Sequence, residues 1–304
     1  MRSTKLVFGF VAALQAAAAR PATAQGGTDI WVSSLKVAAG HVALGTPRNL
    51  TDRPGYDNQP SWSPRGDHIY FSSLRGDGQN DIWSVDAATA KQTRITTSAP
   101  ESEYSPTVMP TGTALSVVRV ERDSTQRLWR VPLNGAPPVV LITDIKPVGY
   151  HAWADSGTVA LYVLGDRKAG TPSTLEIANV AGGTPLFPAH DIGRGLAKIP
   201  AAHAISFVQH SPANDSASAW TIMRYDLDTK KITRIAETLP GVEDYAWTPS
   251  GRLLCAKDSQ IFEWTVKEWV PIANFAGQGI KTITRLSVSP SGNELAFVAV
   301  DKSP

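Results

Sequence analysis

The sequence predicts an all-β chain, a six-bladed β-propeller of four-stranded antiparallel blades, and three observations carry that prediction. A turn motif recurs six times at spacings of 41 to 49 residues, the period of a propeller blade rather than of a helical repeat. Each copy leads into an alternating apolar run, and a second recurrent motif follows in constant phase. The two ends of the chain carry complementary halves of one repeat.

Taken in order, the first segment stands apart. Arg2 and Lys5 form a basic start, residues 6–19 are an apolar run, and Ala22-Thr23-Ala24 precede Gln25 as a small-residue cleavage site. Residues 1–24 therefore read as a secretory signal peptide, with too short an apolar run for a stable membrane span. The expected product is a single propeller domain over 25–304, periplasmic or secreted, with no stable membrane insertion. Of 29 basic and 27 acidic residues, three basic ones, Arg2, Lys5 and Arg20, lie in that segment. The mature chain is then close to neutral and well mixed in charge. Nucleic acid, which calls for a clustered basic face, is not an expected partner.

The 304 residues are 42% apolar, enough for a substantial core. The lone cysteine, Cys255, sits in an alternating run and reads as a small buried apolar residue. With no intrachain disulfide possible, an exported chain must rely on burial and hydrogen bonds, which suits a large repeated β core.

The turn motif is clearest as Trp62-Ser63-Pro64-Arg65-Gly66, Trp247-Thr248-Pro249-Ser250-Gly251 and Val288-Ser289-Pro290-Ser291-Gly292. Weaker copies begin at Val108, Trp153 and Lys198; the last keeps Pro200 and lacks the glycine. Proline presets φ for the first central position and glycine supplies the positive φ that follows, so each copy joins two antiparallel neighbours. The residue ahead of the turn is core, and the runs after it are apolar because both faces of a stacked blade are covered. A third strand opens at Asp29, Asp81, Leu128, Leu175, Thr221 and Ile261. A fourth follows in several repeats, at Asn49, Arg94, Leu141 and Arg234. The chain thus begins with a third and a fourth strand and ends, near Arg285 and over 295–300, with a first and a second. Pairing these would close the ring and remove open edges. Helical content should be nearly nil after residue 24.

Residues 49–83 carry a resemblance to a known family. Leu50-Thr51 ends one repeat, Asp57 and Pro60 form the approach, Trp62-Ser63-Pro64 and Gly66 form the turn, and Asp81-Ile82-Trp83 opens the third strand. This resembles the blade signature of the TolB-like β-propellers, bacterial relatives of the WD40-type repeat proteins. The resemblance covers nearly the whole mature chain and is specific for fold rather than function. It implies a periplasmic propeller that offers one face to a protein partner. TolB itself carries an α/β domain ahead of its propeller, whereas strand-like sequence here begins at Asp29, so that domain is not expected.

The usable face of such a fold is the mouth formed by the loops entering each first strand and those joining second to third strands. On the entering side the candidates for binding are Tyr56, Asp57 and Asn58; Glu103 and Tyr104; Tyr150 and His151; Asp244 and Tyr245; and Arg285. Asp191 and Arg194 belong to the same set of loops. Tyrosine beside carboxylate and arginine suits recognition. Asp57, shortly before a proline, also has a plain structural role in bonding loop backbone.

No His-x-His or His-x-x-x-His pair occurs among the six histidines, and of them only His151 falls near the expected mouth. No Gly-x-Ser-x-Gly elbow and no phosphate-binding glycine loop is present. No cofactor, metal or catalytic residue is expected. The sequence therefore predicts an exported, non-catalytic binding module for an envelope or secreted protein. The alternatives are a carbohydrate-active enzyme, such as a metal-dependent polysaccharide lyase working at the channel mouth, and a sensor of a small carbohydrate or peptide ligand.

Overall fold

The computed structural model describes residues 27–300 except 39, 77, 167 and 212–218. The expected signal peptide lies outside the described residues. Among the described residues all regular structure is strand, apart from a single 3₁₀ turn at Ala276–Gln278.

Four sheets each contain four antiparallel strands. The first runs Ser102–Val108, Ala114–Val120, Gln126–Pro132, Val139–Val140; the second runs Val148–Trp153, Thr158–Val163, Thr174–Asn179, Leu186–His190. The third runs Ile192–Lys198, Ala204–Gln209, Thr221–Asp226, Ile232–Glu237, and the fourth Tyr245–Trp247, Leu253–Lys257, Gln260–Trp264, Trp269–Asn274. The remaining nine strands form one larger sheet. Its path is Thr282–Val288, Glu294–Val300, Thr28–Ala38, Tyr56–Trp62, His68–Leu74, Asn80–Asp86, Gln92–Arg94, with His41–Leu44 and Arg48–Asn49 also pairing with Thr28–Ala38. The first and last described strands pair from Thr28↔Val300 to Ser34↔Glu294, whereas Thr28–Ala38 meets Tyr56–Trp62 only through the parallel pair Thr28↔Tyr56.

The turn motif folds as its residues dictate. Gly66, Gly112, Gly251 and Gly292 take φ of +74°, +73°, +81° and +72°, and each donates its N–H three residues back, to the carbonyls of Ser63, Met109, Thr248 and Ser289. The hydroxyl ahead of the proline has its own task. Ser63, Thr248 and Ser289 accept the N–H of His68, Arg252 and Glu294 at 3.0–3.1 Å, fixing the first residues of the next strand. In the copy without glycine the left-handed residue is Ala201, φ +55°.

The core is built where one group of strands packs on the next, both inside the nine-stranded sheet and between neighbouring sheets. Trp62, Ile69, Phe71 and Val85 pack against Ile30, Val32, Ala296 and Val298, and Leu175, Ile177 and Ala160 against Ile192, Ile205 and Phe207 of the following sheet. The tryptophan of the turn also bonds across the seam. Trp62 donates Nε1–H to the Ser287 carbonyl at 2.9 Å, while Trp153 and Trp247 donate to Ser116 Oγ and Ser206 Oγ at 2.8 and 2.9 Å. Cys255 is buried in the core, and burial pushes its thiol up.

Two expectations need correction. Tyr56, Asp57, Asn58, Glu103, Tyr104, Tyr150, His151, Tyr245 and Arg285 are strand residues, not loop residues. The polar run at 56–61 pairs along His68–Leu74 with one break in register, and sequence alternation hides a strand that carries such a break. The strands His41–Leu44, Leu186–His190 and Trp269–Asn274 are not assigned to these residues from the sequence, although a fourth strand is expected in every repeat. Each lies at the outer side of its sheet, and Pro188 and Pro271 interrupt the last two, so that those runs do not read as strands.

Candidate functional site

Six strands converge on a cavity of about 780 Å³, and the residue three before each turn motif lines it: Gln59, Ser105, Tyr150, Gly195, Arg285 and, just ahead of its strand, Asp244. The convergence has a backbone cause. Register breaks fall between Asn58 and Ser61, between Tyr104 and Thr107, and between Thr284 and Ser287. At these bulges Gln59, Ser105 and Arg285 take φ of +61°, +52° and +54°. A bulge turns its extra residue out of the ladder and re-aims the side chain. A non-glycine residue in that region costs about 1 kcal/mol, which the surrounding bonds offset. Gln59 Oε1, for example, accepts the Ser105 N–H at 2.7 Å.

One charge network dominates the mouth. Arg194 Nη2 lies 2.9 Å from Asp244 Oδ2, and Arg285 Nη1 lies 2.9 Å from Asp244 Oδ1. The second terminal nitrogen of Arg285 donates to the Tyr150 hydroxyl at 2.8 Å, and the guanidinium stands over the same ring, 4.9 Å from its centroid. Burial acts to raise the Asp244 carboxyl, but Arg285 and Arg194 outweigh it and hold the group below the usual carboxylate range. Burial acts against the Arg194 charge, and Asp244 more than restores it, so this guanidinium titrates above its ordinary value. The Arg194 N–H also donates to Glu243 Oε2 at 2.8 Å. Tyr56 joins this group, its phenol pushed up by burial while Arg285 and Arg194 act in the opposite sense. Among the cavity-lining residues Arg194, Lys198 and Arg285 face one carboxylate, Asp244. The lumen is thus positively biased in a chain that is otherwise balanced.

The structure brings Tyr56, Tyr150, Asp244 and Arg285 together at this mouth with Tyr104 close by. The other candidates are engaged internally. Asp57 is fully buried, with Oδ1 2.5 Å from the Ser73 hydroxyl and 3.1 Å from Arg53 Nη1. Glu103 is likewise fully buried and accepts from Arg119 Nε and Nη2 at 3.0 and 2.5 Å. Asn58 accepts the N–H of Gln59. Tyr245 is buried and donates to Ser206 Oγ at 2.9 Å. His151 forms part of the cavity wall, its Nε2 2.6 Å from Ser116 Oγ, and burial lowers its pKa to about 3. Gln59, Ser105 and Lys198 line the cavity without having stood out in the sequence. The signal available for the first two was their position, three residues before the turn, where no two repeats carry the same side chain.

A metal does not suit this donor set. His151 is committed to Ser116, Asp244 lies between two guanidiniums, and among the described residues no three His, Cys, Asp or Glu side chains converge.

The sequence matches no protein-family profile and no curated protein. Solved structures do match. A TolB from Agrobacterium tumefaciens superposes with a TM-score of 0.69 at 15% identity, covering 91% of this chain and 99% of that one. TolB from Acinetobacter baumannii gives 0.57 at 14% identity, covering 89% of this chain and 63% of that one. A chain of a nidogen/laminin complex gives 0.58 at 11% identity over 91% and 100%. An oligogalacturonate lyase from Vibrio parahaemolyticus gives 0.52 at 12% identity over 92% and 99%. Identities this low speak for architecture alone, and the architecture they share with this chain is the TolB-type β-propeller.

Proposed function

We propose that this chain is an exported, six-bladed propeller that binds a protein partner at the mouth holding Tyr56, Tyr104, Tyr150, Arg194, Asp244 and Arg285, and that it performs no catalysis there. Six blades follow if the nine-stranded sheet is divided at its single parallel pair, Thr28↔Tyr56. One unit is then 56–94. The other joins Thr282–Val288 and Glu294–Val300 to Thr28–Ala38 and its two short partners, so that the N-terminal strands complete the last blade and close the ring. The observation that carries the functional reading is the Arg194–Asp244–Arg285–Tyr150 network. It holds two guanidiniums and an aromatic ring in place before any partner arrives, and such pre-ordered arginine and tyrosine side chains are what dominate protein interfaces. A nidogen/laminin complex among the structural matches supports the reading at the level of architecture. The lyase reading, which the oligogalacturonate lyase matches would favour, lacks a matching set of metal donors in this cavity.

Capture from an envelope extract of the producing cells tests the proposal. Wild-type protein should retain a discrete partner, and the double variant Tyr56→Ala/Tyr104→Ala should retain about tenfold less. Equal recovery by both would remove the mouth as the binding face.

A further inference from the structure

A second cavity shares no lining residue with the mouth. In each third strand the residue after the fully buried Ile30, Ile82, Leu128, Leu175, Ile222 or Ile261 occupies one repeated place in the sheet, opposite Phe297, Phe71, Val117, Leu161, Phe207 and Cys255 of the second strands. Five repeats put a large apolar side chain there: Trp31, Trp83, Trp129, Met223 and Phe262. The remaining repeat has Glu176.

A groove of about 480 Å³ opens where that bulk is missing, between the segment that follows Val139–Val140, with Leu141, Ile142, Asp144 and Lys146, and Glu176, Ala178 and Phe187 of the next sheet. Glu176 is only 8% exposed. Among the described residues its side chain takes one hydrogen bond, a long one from the Thr174 hydroxyl to Oε1 at 3.3 Å, and no salt bridge reaches it although Lys146 lines the same groove. Burial pushes its carboxyl above the usual range. A carboxylate held in such a place favours its neutral form, and a cation seated beside it favours the charged one. Directly across from Glu176 the outermost strand, Leu186–His190, skips register between Leu175↔Ala189 and Ile177↔Leu186. There Phe187 is 62% and Leu186 42% exposed, and among the described residues no strand pairs with the outer edge of this one.

We propose that this groove is a docking site for an extended segment of a protein partner, which inserts a lysine or arginine side chain against Glu176 and lays its neighbouring apolar residues on Leu186 and Phe187. The charge selects a cation, and the aromatic ring at the rim suits the flat face of a guanidinium. The open edge favours a polypeptide over a free amine, since an added strand finds main-chain partners there.

Fluorescence anisotropy with a labelled, acetylated and amidated peptide of alternating threonine and valine, carrying one central arginine, tests the site. The full chain should bind it saturably. Glu176→Gln should weaken binding about tenfold or more, as should replacing the arginine by norleucine, and the two changes together should cost little beyond either alone. Glu176→Met, which restores the apolar residue of the other repeats, should abolish binding and raise the unfolding midpoint; Glu176→Gln still reads the site if the methionine variant fails to fold. The Tyr56→Ala/Tyr104→Ala variant should bind this peptide like wild type, which separates the groove from the mouth. The proposal is overturned by the absence of saturable binding, by equal affinity for the arginine and norleucine peptides, or by a glutamine variant that binds like wild type. It is equally overturned if N-acetylarginine amide binds as tightly as the peptide, which would leave a pocket for a small cation and no role for the edge.

Discussion

The two ends of the innermost strands obey different rules. At the turn end the repeats do the same thing each time. A proline and a glycine reverse the chain, a hydroxyl fixes the next strand, and Trp62, Trp153 and Trp247 each donate an indole N–H across a seam. Three residues before the turn motif, at the mouth, the corresponding positions hold Gln59, Ser105, Tyr150, Gly195, Asp244 and Arg285. No residue type recurs among them, and three have left-handed backbone. What repeats is what the fold needs, because every seam poses the same packing problem. What does not repeat is held in place by bonds to its neighbours around the cavity, as in Gln59 with Ser105 and Asp244 with Arg194 and Arg285, so its identity answers to something other than the seam.

The largest test of that contrast removes the carboxylate at the mouth. Asp244→Ala leaves Arg194 and Arg285 partly buried and facing one another without their shared anion. The expected loss is about 3 kcal/mol of unfolding free energy, read by urea denaturation at neutral pH. Asp244→Asn should recover part of it, because the amide oxygen can still accept from Arg285 while the amide nitrogen cannot accept from Arg194. If Asp244→Ala costs no more than a surface change, the network is loosely held and does not prearrange the mouth.

How much of this was legible beforehand follows from the same division. The turn motif, its period and the complementary ends could be read because proline, glycine and tryptophan act locally and recur. The pairing of Thr28–Ala38 with Glu294–Val300 followed from phase alone. Asp57 and Glu103 looked like mouth residues because both are charged and lie near tyrosines, yet each is buried against an arginine, Arg53 and Arg119 respectively. No local pattern announces such a pair. Bulges were equally silent, since Gln59 and Arg285 carry no sequence mark of positive φ. Glu176 could have been singled out by aligning third strands, as the one charge in a column of apolar residues.

A smaller effect separates His151 from a surface histidine. Burial holds its folded pKa near 3, whereas an unfolded histidine titrates near about 6.5. Between those values the unfolded state binds the extra proton. The contribution of His151 is therefore fully present above the unfolded pKa and is lost as pH falls, by about 1.4 kcal/mol per pH unit. His151→Gln keeps a polar partner for Ser116 and cannot titrate. The stability difference between wild type and variant should shift by about 2 kcal/mol in favour of the variant on going from pH 7 to pH 5. A difference that stays constant with pH would mean that the folded ring takes up a proton as easily as the unfolded one.

The smallest effects set the two ends side by side. Trp62→Phe keeps an aromatic ring in the core, leaves the Ser287 carbonyl without the indole donor and opens a small void, for an expected loss of about 1–2 kcal/mol. Tyr104→Phe removes one hydroxyl that accepts from Asn80 Nδ2 at 2.8 Å. Tyr104 is half-buried and near the mouth, so water can take over that bond and the expected loss is within about 0.5 kcal/mol. Thermal or urea unfolding of both variants under one set of conditions ranks them. The order matters more than the sizes, because a larger loss for Tyr104→Phe would make its hydroxyl part of the scaffold and withdraw it from the proposed contact surface.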